Sequence, residues 1–183
     1  MKNAWYLIIV VIVCGLALRR AAARRWNQGG EKRGKLVAAS VDAAAVRCVA
    51  IEAGERRVTL TSDASGVWRV RECGDSPARV SLIQMFVSDL LRATVARRLT
   101  GNDPTGFGLT PETGAVTVRL LDGDGGELAR VVLGRVIARQ NPGTEESVPD
   151  KVAVGRHVLV DGEPATTANP FPQADYPAEK WKE

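Results

Sequence analysis

The sequence predicts an α+β fold, in which an amino-terminal transmembrane helix precedes a small domain of antiparallel strands covered by one amphipathic helix. Three observations predict it. An uncharged apolar run fills residues 4–18, short alternating runs begin at residue 47, and apolar residues recur at helical spacing between residues 80 and 91. Aromatic residues make up only 5% of the 183 residues, so the core must come mainly from aliphatic side chains.

The apolar run is the first element, and we assign residues 1–18 to a transmembrane anchor or a signal segment. The run spans about 22 Å as a helix at ~1.5 Å per residue, which is shorter than a bilayer core of about 30 Å. A spanning helix therefore requires Lys2, Arg19 and Arg20 to extend toward the headgroups. A signal peptide cleaved near alanines 21–23 and a buried core helix are the alternative interpretations.

Residues 19–35 form a basic linker that contains several glycines. Seven basic residues against one acidic residue give it a net charge of +6, so the overall charge of +4 resides in this segment rather than in the domain. The mildly acidic remainder gives no reason to expect nucleic acid as a partner. Two interpretations of the linker stay open, which are contact with anionic lipid headgroups and a solvated connection.

Three alternating runs at residues 47–52, 57–62 and 67–71 predict a three-stranded meander. Their alternation places one set of large apolar side chains on a single face. The set is Val49, Ile51, Val58, Leu60, Trp68 and Val70. Trp68 is the largest of them, and we expect it in the core rather than exposed as a platform for a ligand or partner.

An amphipathic helix is predicted over residues 77–94, because Asp75 can cap it and Pro77 suits its first turn. Its apolar stripe consists of Val80, Ile83, Phe86, Val87, Leu90 and Leu91. We expect this stripe to cover the sheet, the alternative being a partner helix. A strand over residues 95–99 follows.

Residues 105–134 combine an aromatic-glycine elbow at Phe107 and Gly108 with a hairpin of two strands, 115–121 and 127–133. The connection at residues 122–126 contains Asp122, Asp124 and three glycines. Its spacing does not match a calcium-binding loop of the helix-loop-helix kind, so we interpret these residues as turn formers.

After a polar loop at residues 140–150, strand patterns return at 151–154 and 157–160 and end at Asp161 and Gly162. We therefore assign residues 36–162 to the α+β domain and residues 163–183 to a proline-rich tail. The tail has spaced aromatic residues, which favour packing along its own domain slightly over docking a partner.

The chemistry of the domain is sparse. His157 is the only histidine, which excludes a site of several histidines, and no glycine-flanked serine accompanies it. No phosphate-binding loop or dinucleotide fingerprint occurs. The sequence therefore assigns no catalytic, cofactor-binding or metal-binding residue, and His157 is expected to be structural.

Cys48 and Cys73 fall on the first strand of the meander and just after its third. Strands two positions apart are separated by about 9.6 Å, whereas a disulfide requires α-carbons within about 7 Å. Two free thiols are expected, although a different strand order would permit a bridge.

Several short motifs follow one another in a characteristic order. They are the apolar run, GGEKRGKLV at 29–37, VRCVAIE at 46–52, VTLTSDASGVWRV at 58–70, GFGLTP at 106–111, the hairpin ending in LG at 133–134, and HVLVDG at 157–162. In this order they resemble the bacterial envelope family known as domain of unknown function 4340. The last strand departs from the family pattern, because Val152–Gly155 stands where members commonly have an aromatic residue and an arginine.

The resemblance implies a single-pass protein of the bacterial inner membrane whose α+β domain faces away from the cytoplasm, in the periplasm. The charge distribution around residues 4–18 alone predicts the opposite side, since most basic residues follow the apolar run. Because GGEKR-type basic segments are common in the family, the resemblance outweighs this rule.

The resemblance also implies association with transporters of the ATP-binding-cassette type related to gliding motility. We therefore expect a non-enzymatic accessory or binding domain of an envelope assembly. It would contact lipid through residues 4–18 and 19–35, and transporter subunits or other envelope proteins through its domain. The alternative is a small-molecule-binding sensor or a hydrolase using His157.

Overall fold

The computed structural model describes residues 34–37, 40–99, 103–140 and 151–183, and the compact unit begins at Lys35. The predicted anchor at residues 1–18, Cys14 within it, and most of the predicted linker lie outside the described residues. No helix among the described residues is long and apolar enough to cross a membrane.

In the described part of the chain, nine strands form one sheet in which every pairing is antiparallel. The strands are β1 Cys48–Ala53, β2 Arg56–Ser62, β3 Trp68–Val70, β4 Ser76–Pro77, β5 Val95–Arg98, β6 Val116–Leu121, β7 Glu127–Gln140, β8 Lys151–Val160 and β9 Glu163–Thr167. Their order is β4-β3-β2-β1-β6-β7-β8-β9-β5, and the α-helix α1 spans Val80–Arg92. The predicted α+β class with antiparallel strands is confirmed.

One face of the sheet, here called the inner face, carries the core. The predicted meander exists, and five of the six side chains assigned to its apolar face are fully buried, namely Val49, Ile51, Val58, Leu60 and Val70. Apolar residues of β6, β7 and β8 continue the same face by strand alternation. Trp68 differs from the prediction, because it is only half-buried and packs at the edge of this core.

Helix α1 covers part of the inner face with its predicted stripe, of which Ile83, Phe86, Val87 and Leu90 are buried. It begins three residues later than predicted. Asp75 adopts a left-handed conformation with φ 55°, and Ser76–Pro77 pairs with β3 as strand β4. These residues therefore complete the sheet before the helix can start.

The tail belongs to the domain, which extends the predicted range 36–162 to Glu183. Asp161 and Gly162 both have positive φ, as in a type I′ turn, and they connect β8 to β9 instead of ending the sheet. Beyond β9, Phe171 and Trp181 are fully buried in the core. The ring of Trp181 meets that of Phe86 edge-on at a centroid distance of 5.6 Å. Packing of the tail on its own domain is confirmed.

Two arginines of the inner face hold the tail in place. Arg156 is 3% exposed, donates from Nε to the Gly134 carbonyl at 2.8 Å, and binds both carboxylate oxygens of Asp175 at 2.8 and 2.9 Å. From β2, four strands away in the same sheet, Arg56 donates to the carbonyl of Tyr176 at 2.9 Å and to that of Ala174 at the same distance. The two arginines therefore hold one short stretch of the tail, residues 170–176, from two different strands.

Phe171 belongs to this stretch and adopts a left-handed conformation with φ 47°. Such a backbone costs about 1–3 kcal/mol for a residue other than glycine. Its N–H donates to Asn169 Oδ1 at 2.9 Å, and its carbonyl accepts from Arg156 at 3.3 Å. These bonds and the burial of the ring offset the strain.

Because Trp181 is fully buried and Trp68 is not, replacing each tryptophan with alanine should lower the stability of the domain by different amounts. We expect Trp181→Ala to lower the free energy of unfolding by about 3–5 kcal/mol and Trp68→Ala by less than half of that. Urea unfolding of residues 35–183, monitored by circular dichroism, measures both. A larger loss for Trp68→Ala would contradict the assignment of the core.

We further expect Arg156→Met to destabilise the domain by about 3–5 kcal/mol, because it leaves carbonyls and the Asp175 carboxylate without their buried partner. Asp175→Asn should cost clearly less, since its amide oxygen still accepts from Arg156 and its side chain is 44% exposed. The same unfolding measurement compares the two. Equal losses would show that the carboxylate charge, rather than the buried guanidinium, holds the tail.

Candidate functional site

His157 lies on the outer face of the sheet, which is the face opposite the core. Its neighbours in β8, Arg156 and Val158, are buried on the inner face, so alternation directs the imidazole outward. There it stacks against Phe107 at a centroid distance of 5.0 Å and an interplanar angle of 33°. The structure thus brings together the only histidine and the aromatic residue of the predicted elbow.

The elbow folds onto the outer face through two glycines. Gly108 adopts φ 70° after a short 3-10 helix over Thr105–Phe107, which confirms the predicted turn. Gly134 in β7 lies directly beneath, where a Cβ would overlap the carbonyl oxygen of Phe107 and approach Leu109 Cδ2 to 2.9 Å. Leu109 is buried outside the main core. A small second apolar layer therefore covers β7 and β8 on this face.

The electrostatic environment of His157 favours its neutral form. Burial lowers the pKa of the imidazole below its ordinary value, and the positive charge of Arg135 lowers it further. The Nδ1 atom is buried and has no hydrogen-bond partner among the described residues. A catalytic histidine needs a group that orients its second nitrogen, usually a carboxylate. The position of His157 therefore fits the expected structural role better than a hydrolytic one.

The acidic residues of the hairpin act in the turn. Asp122 Oδ1 accepts from the N–H of Asp124 at 3.0 Å and from that of Gly126 at 2.7 Å. Within the described ranges, no cluster of three or more His, Cys, Asp or Glu side chains could hold a metal ion. The carboxylate of Asp122 thus has the role that the turn interpretation assigns to it.

Cys48 and Cys73 are both free thiols in the structure and half-buried. Burial raises the pKa of Cys48, and nearby Arg71 and Arg119 offset only part of that effect. Its thiol therefore stays protonated at neutral pH, which makes it a poor nucleophile. The expectation of two free thiols agrees with this arrangement.

A small cleft opens at the edge of the inner face beside Trp68, and we call it the Trp68 cleft. Its volume is about 230 Å³. It is lined by Ala43, Ala44, Val46, Arg47, Trp68, Ile83, Gln84 and Val87. No local pattern predicts this cleft, because the wall formed by residues 43–47 belongs to a segment without apolar periodicity.

A second cavity of about 460 Å³ lies between the end of α1 and the end of β9. Five of its eight lining residues have polar or charged side chains, namely Asp89, Arg92, Thr94, Thr167 and Asn169. The two cavities differ in their lining. The Trp68 cleft combines an aromatic side chain with aliphatic walls, and the second cavity has no aromatic lining residue among the described residues.

No family model matches the chain, and no curated protein or solved structure shows significant similarity to it. Any conclusion about function therefore comes from the residues and their arrangement.

The buried imidazole generates a pH dependence of stability. As the pH falls through the ordinary pKa of 6.5, the unfolded chain binds a proton while His157 in the fold stays neutral, so the folded state loses stability. The loss should level off below the lowered pKa of the folded state. Urea unfolding at pH values from about 7.5 to 5 measures this slope.

The matched control is His157→Phe, which keeps a ring against Phe107 but cannot bind a proton. Because His157 is the only histidine in the chain, the slope between about pH 7 and 5.5 should be much smaller in this variant. Identical slopes in both proteins would show that another group causes the pH dependence.

Proposed function

We propose that this chain is a membrane-anchored accessory or binding domain of a bacterial envelope assembly, without catalytic activity of its own. Its partners would be subunits of an ABC-type transporter or other envelope proteins. The observation that carries the proposal is the Trp68 cleft, a small aromatic and aliphatic recess on a domain that begins directly after the basic linker.

The size and lining of the Trp68 cleft suit one side chain of a partner protein. Pockets for drug-sized ligands usually measure about 300–1,000 Å³, whereas this cleft measures about 230 Å³. Tryptophan is enriched among the residues that dominate protein interfaces. Arg47 and Gln84 add polar groups to the apolar lining, so a partner segment could combine an apolar anchor with a flanking acceptor.

The alternative, a small-molecule sensor or a hydrolase using His157, has less support. A hydrolase would need a nucleophile and an orienting group around the imidazole. The Nδ1 atom of His157 is buried and no described residue offers it a hydrogen-bond partner, and Phe107 stacks on the ring. We therefore prefer the binding function.

The membrane location rests on the apolar run, the basic linker and the resemblance to envelope proteins. Under this proposal residues 4–18 anchor the chain in the inner membrane, residues 19–35 lie near the lipid headgroups, and the domain occupies the periplasm. Apolar burial rather than screened charge would then hold the chain, so it should stay with the membrane in high salt.

The membrane location is tested by washing membranes in high salt and by adding protease to the periplasmic side of spheroplasts. We expect the intact chain to sediment with membranes and the domain to be digested. Release by salt would contradict the anchor. Protection from the protease, with cleavage after the membrane is opened, would place the domain in the cytoplasm.

The binding function is tested by closing the cleft without disturbing the core. Ala43–Ala45 form one short 3-10 helix whose residues are all exposed, but only Ala43 and Ala44 line the cleft. We expect Ala44→Trp to reduce co-purification of transporter subunits from solubilised membranes by tenfold or more, on the order of 1.4 kcal/mol. Ala45→Trp is the matched control and should have little effect.

His157→Ala provides a second control, because it removes the only candidate catalytic side chain while leaving the cleft intact. We expect this variant to retain its partners. If His157→Ala abolished the cellular phenotype while partner binding and folding stayed normal, the chain would have a chemical function that the binding proposal lacks. Equal recovery of partners with Ala44→Trp and Ala45→Trp would eliminate the cleft as the docking site.

A further inference from the structure

The second cavity, between the end of α1 and the end of β9, has the size of a site for a small molecule. Its volume of about 460 Å³ falls within the range of roughly 300–1,000 Å³ that is typical of such sites. It shares no lining residue with the Trp68 cleft. Occupation of this cavity is therefore independent of the proposed docking of a partner protein.

The floor of the cavity belongs to the sheet. Thr167 is 3% exposed and pairs with Arg156 of β8 on one side and with Val95 of β5 on the other. Because directly paired residues face the same side of a sheet, the side chain of Thr167 lies on the inner face with that of Arg156. Its hydroxyl oxygen accepts from the N–H of Asn169 at 3.4 Å, and its hydroxyl proton goes to no described residue. A buried donor is thus available in the floor.

Asn169 supplies a second donor on the β9 side of the cavity. Its Oδ1 atom accepts from the N–H of Phe171 at 2.9 Å, which fixes the orientation of the carboxamide. The amide nitrogen of the same side chain donates to no residue in the described ranges. An amide whose oxygen is already bonded can offer its nitrogen to an acceptor on a ligand, such as a carboxylate.

The helix side of the cavity carries two opposite charges. Asp89 is half-buried, Arg92 is exposed, and both line the cavity from α1. Residues three apart are neighbours on a helix surface, with Cβ atoms about 5–6 Å apart. Neither side chain forms an ion pair or a hydrogen bond with another described residue. The cavity therefore offers an acceptor for a cation beside a donor for an anion.

The end of α1 adds to the attraction for a cation near Asp89. The last bond of the helix runs from the N–H of Ala93 to the carbonyl of Asp89, so the cavity lies beside the final turn. The C-terminal end of a helix carries a partial negative charge, and its last carbonyls have no donor within the helix. An ammonium group at Asp89 would interact favourably with both the carboxylate and the helix end.

The lining also limits the kind of ligand. None of the described lining residues is aromatic, so a nucleobase would have no ring on which to stack. A simple anion would be repelled by Asp89, and a simple cation would be repelled by Arg92. The remaining apolar lining consists of Ala93, Ala168 and Pro170, which are all small. A small ligand that carries both charges satisfies all of these conditions.

We propose that this cavity binds a small zwitterionic α-amino acid. Its ammonium and carboxylate groups are attached to one carbon, which suits two opposite charges that are neighbours on the helix surface. The ammonium donates to Asp89, and the carboxylate accepts from Arg92 and from the donors on the β9 side. These charge-assisted hydrogen bonds are stronger than neutral ones. A short aliphatic side chain lies against the alanines and the proline.

The charge requirement is tested by calorimetric titration of the purified 183-residue chain with L-alanine, propionate and ethylamine. Propionate is alanine without its ammonium group, and ethylamine is alanine without its carboxylate. We expect L-alanine to bind with a Kd of about 1 mM, a modest affinity for so small a ligand. Both analogues should bind at least tenfold more weakly. Lack of L-alanine binding, or equal binding of either analogue, would overturn the proposal.

The location is tested with Arg92→Gln and Asp89→Asn, which remove one charge each. Both should weaken L-alanine binding tenfold or more, whereas Arg92→Gln should not weaken ethylamine binding and Asp89→Asn should not weaken propionate binding. Arg97→Gln is the matched control, because Arg97 is an exposed arginine of the adjacent strand β5 that does not line the cavity.

Circular dichroism of each variant checks that the fold is retained. If L-alanine binds equally to the unchanged chain and to Asp89→Asn, the two helix charges do not form the site and the proposal is wrong. Equal losses with Arg92→Gln and Arg97→Gln would attribute binding to the overall positive charge and would also overturn it. The comparison of the three ligands on the unchanged chain decides the charge requirement even if a variant fails to fold.

Discussion

One buried guanidinium connects the parts of this domain that are far apart in sequence. Arg156 belongs to β8, bonds the main chain of β7 at Gly134, and binds the carbonyl of Phe171 and the carboxylate of Asp175 in the tail. Taking this charge out of water is costly, and several well-placed acceptors are needed to offset the cost. The tail provides them only when it crosses the inner face, which is also the position that buries its aromatic rings.

The parts of the fold that the sequence predicts are those determined by local periodicity. Alternation in β1 and β2 predicts that side chains such as Ile51 and Leu60 are core residues, because a strand has only two faces and one of them is buried against the core. At Asp161 and Gly162, by contrast, the local pattern predicts the end of the sheet, whereas the structure has a turn between two paired strands. The strand that follows, Glu163–Thr167, contains Pro164 and few large apolar residues, so its pattern resembles a tail.

The candidate site was harder to predict because it depends on contacts between distant segments. Alternation correctly gave the face of Trp68 but could not show how completely other segments would cover it. Trp181 lies in a segment without periodicity, and its burial follows from the path of the tail. The contact between Phe107 and His157 likewise depends on how the elbow folds back, which a local pattern does not determine.

Gly134 supports both the elbow on the outer face of the sheet and the tail on the inner face. The space that its side chain would occupy holds the elbow, while its carbonyl accepts from Arg156 and thereby supports the tail. In most sheets, substitutions on opposite faces affect stability independently when they share no partner. Here a single peptide unit serves both layers, so the effects of substitutions in the elbow and in the tail should be non-additive across the thickness of the sheet.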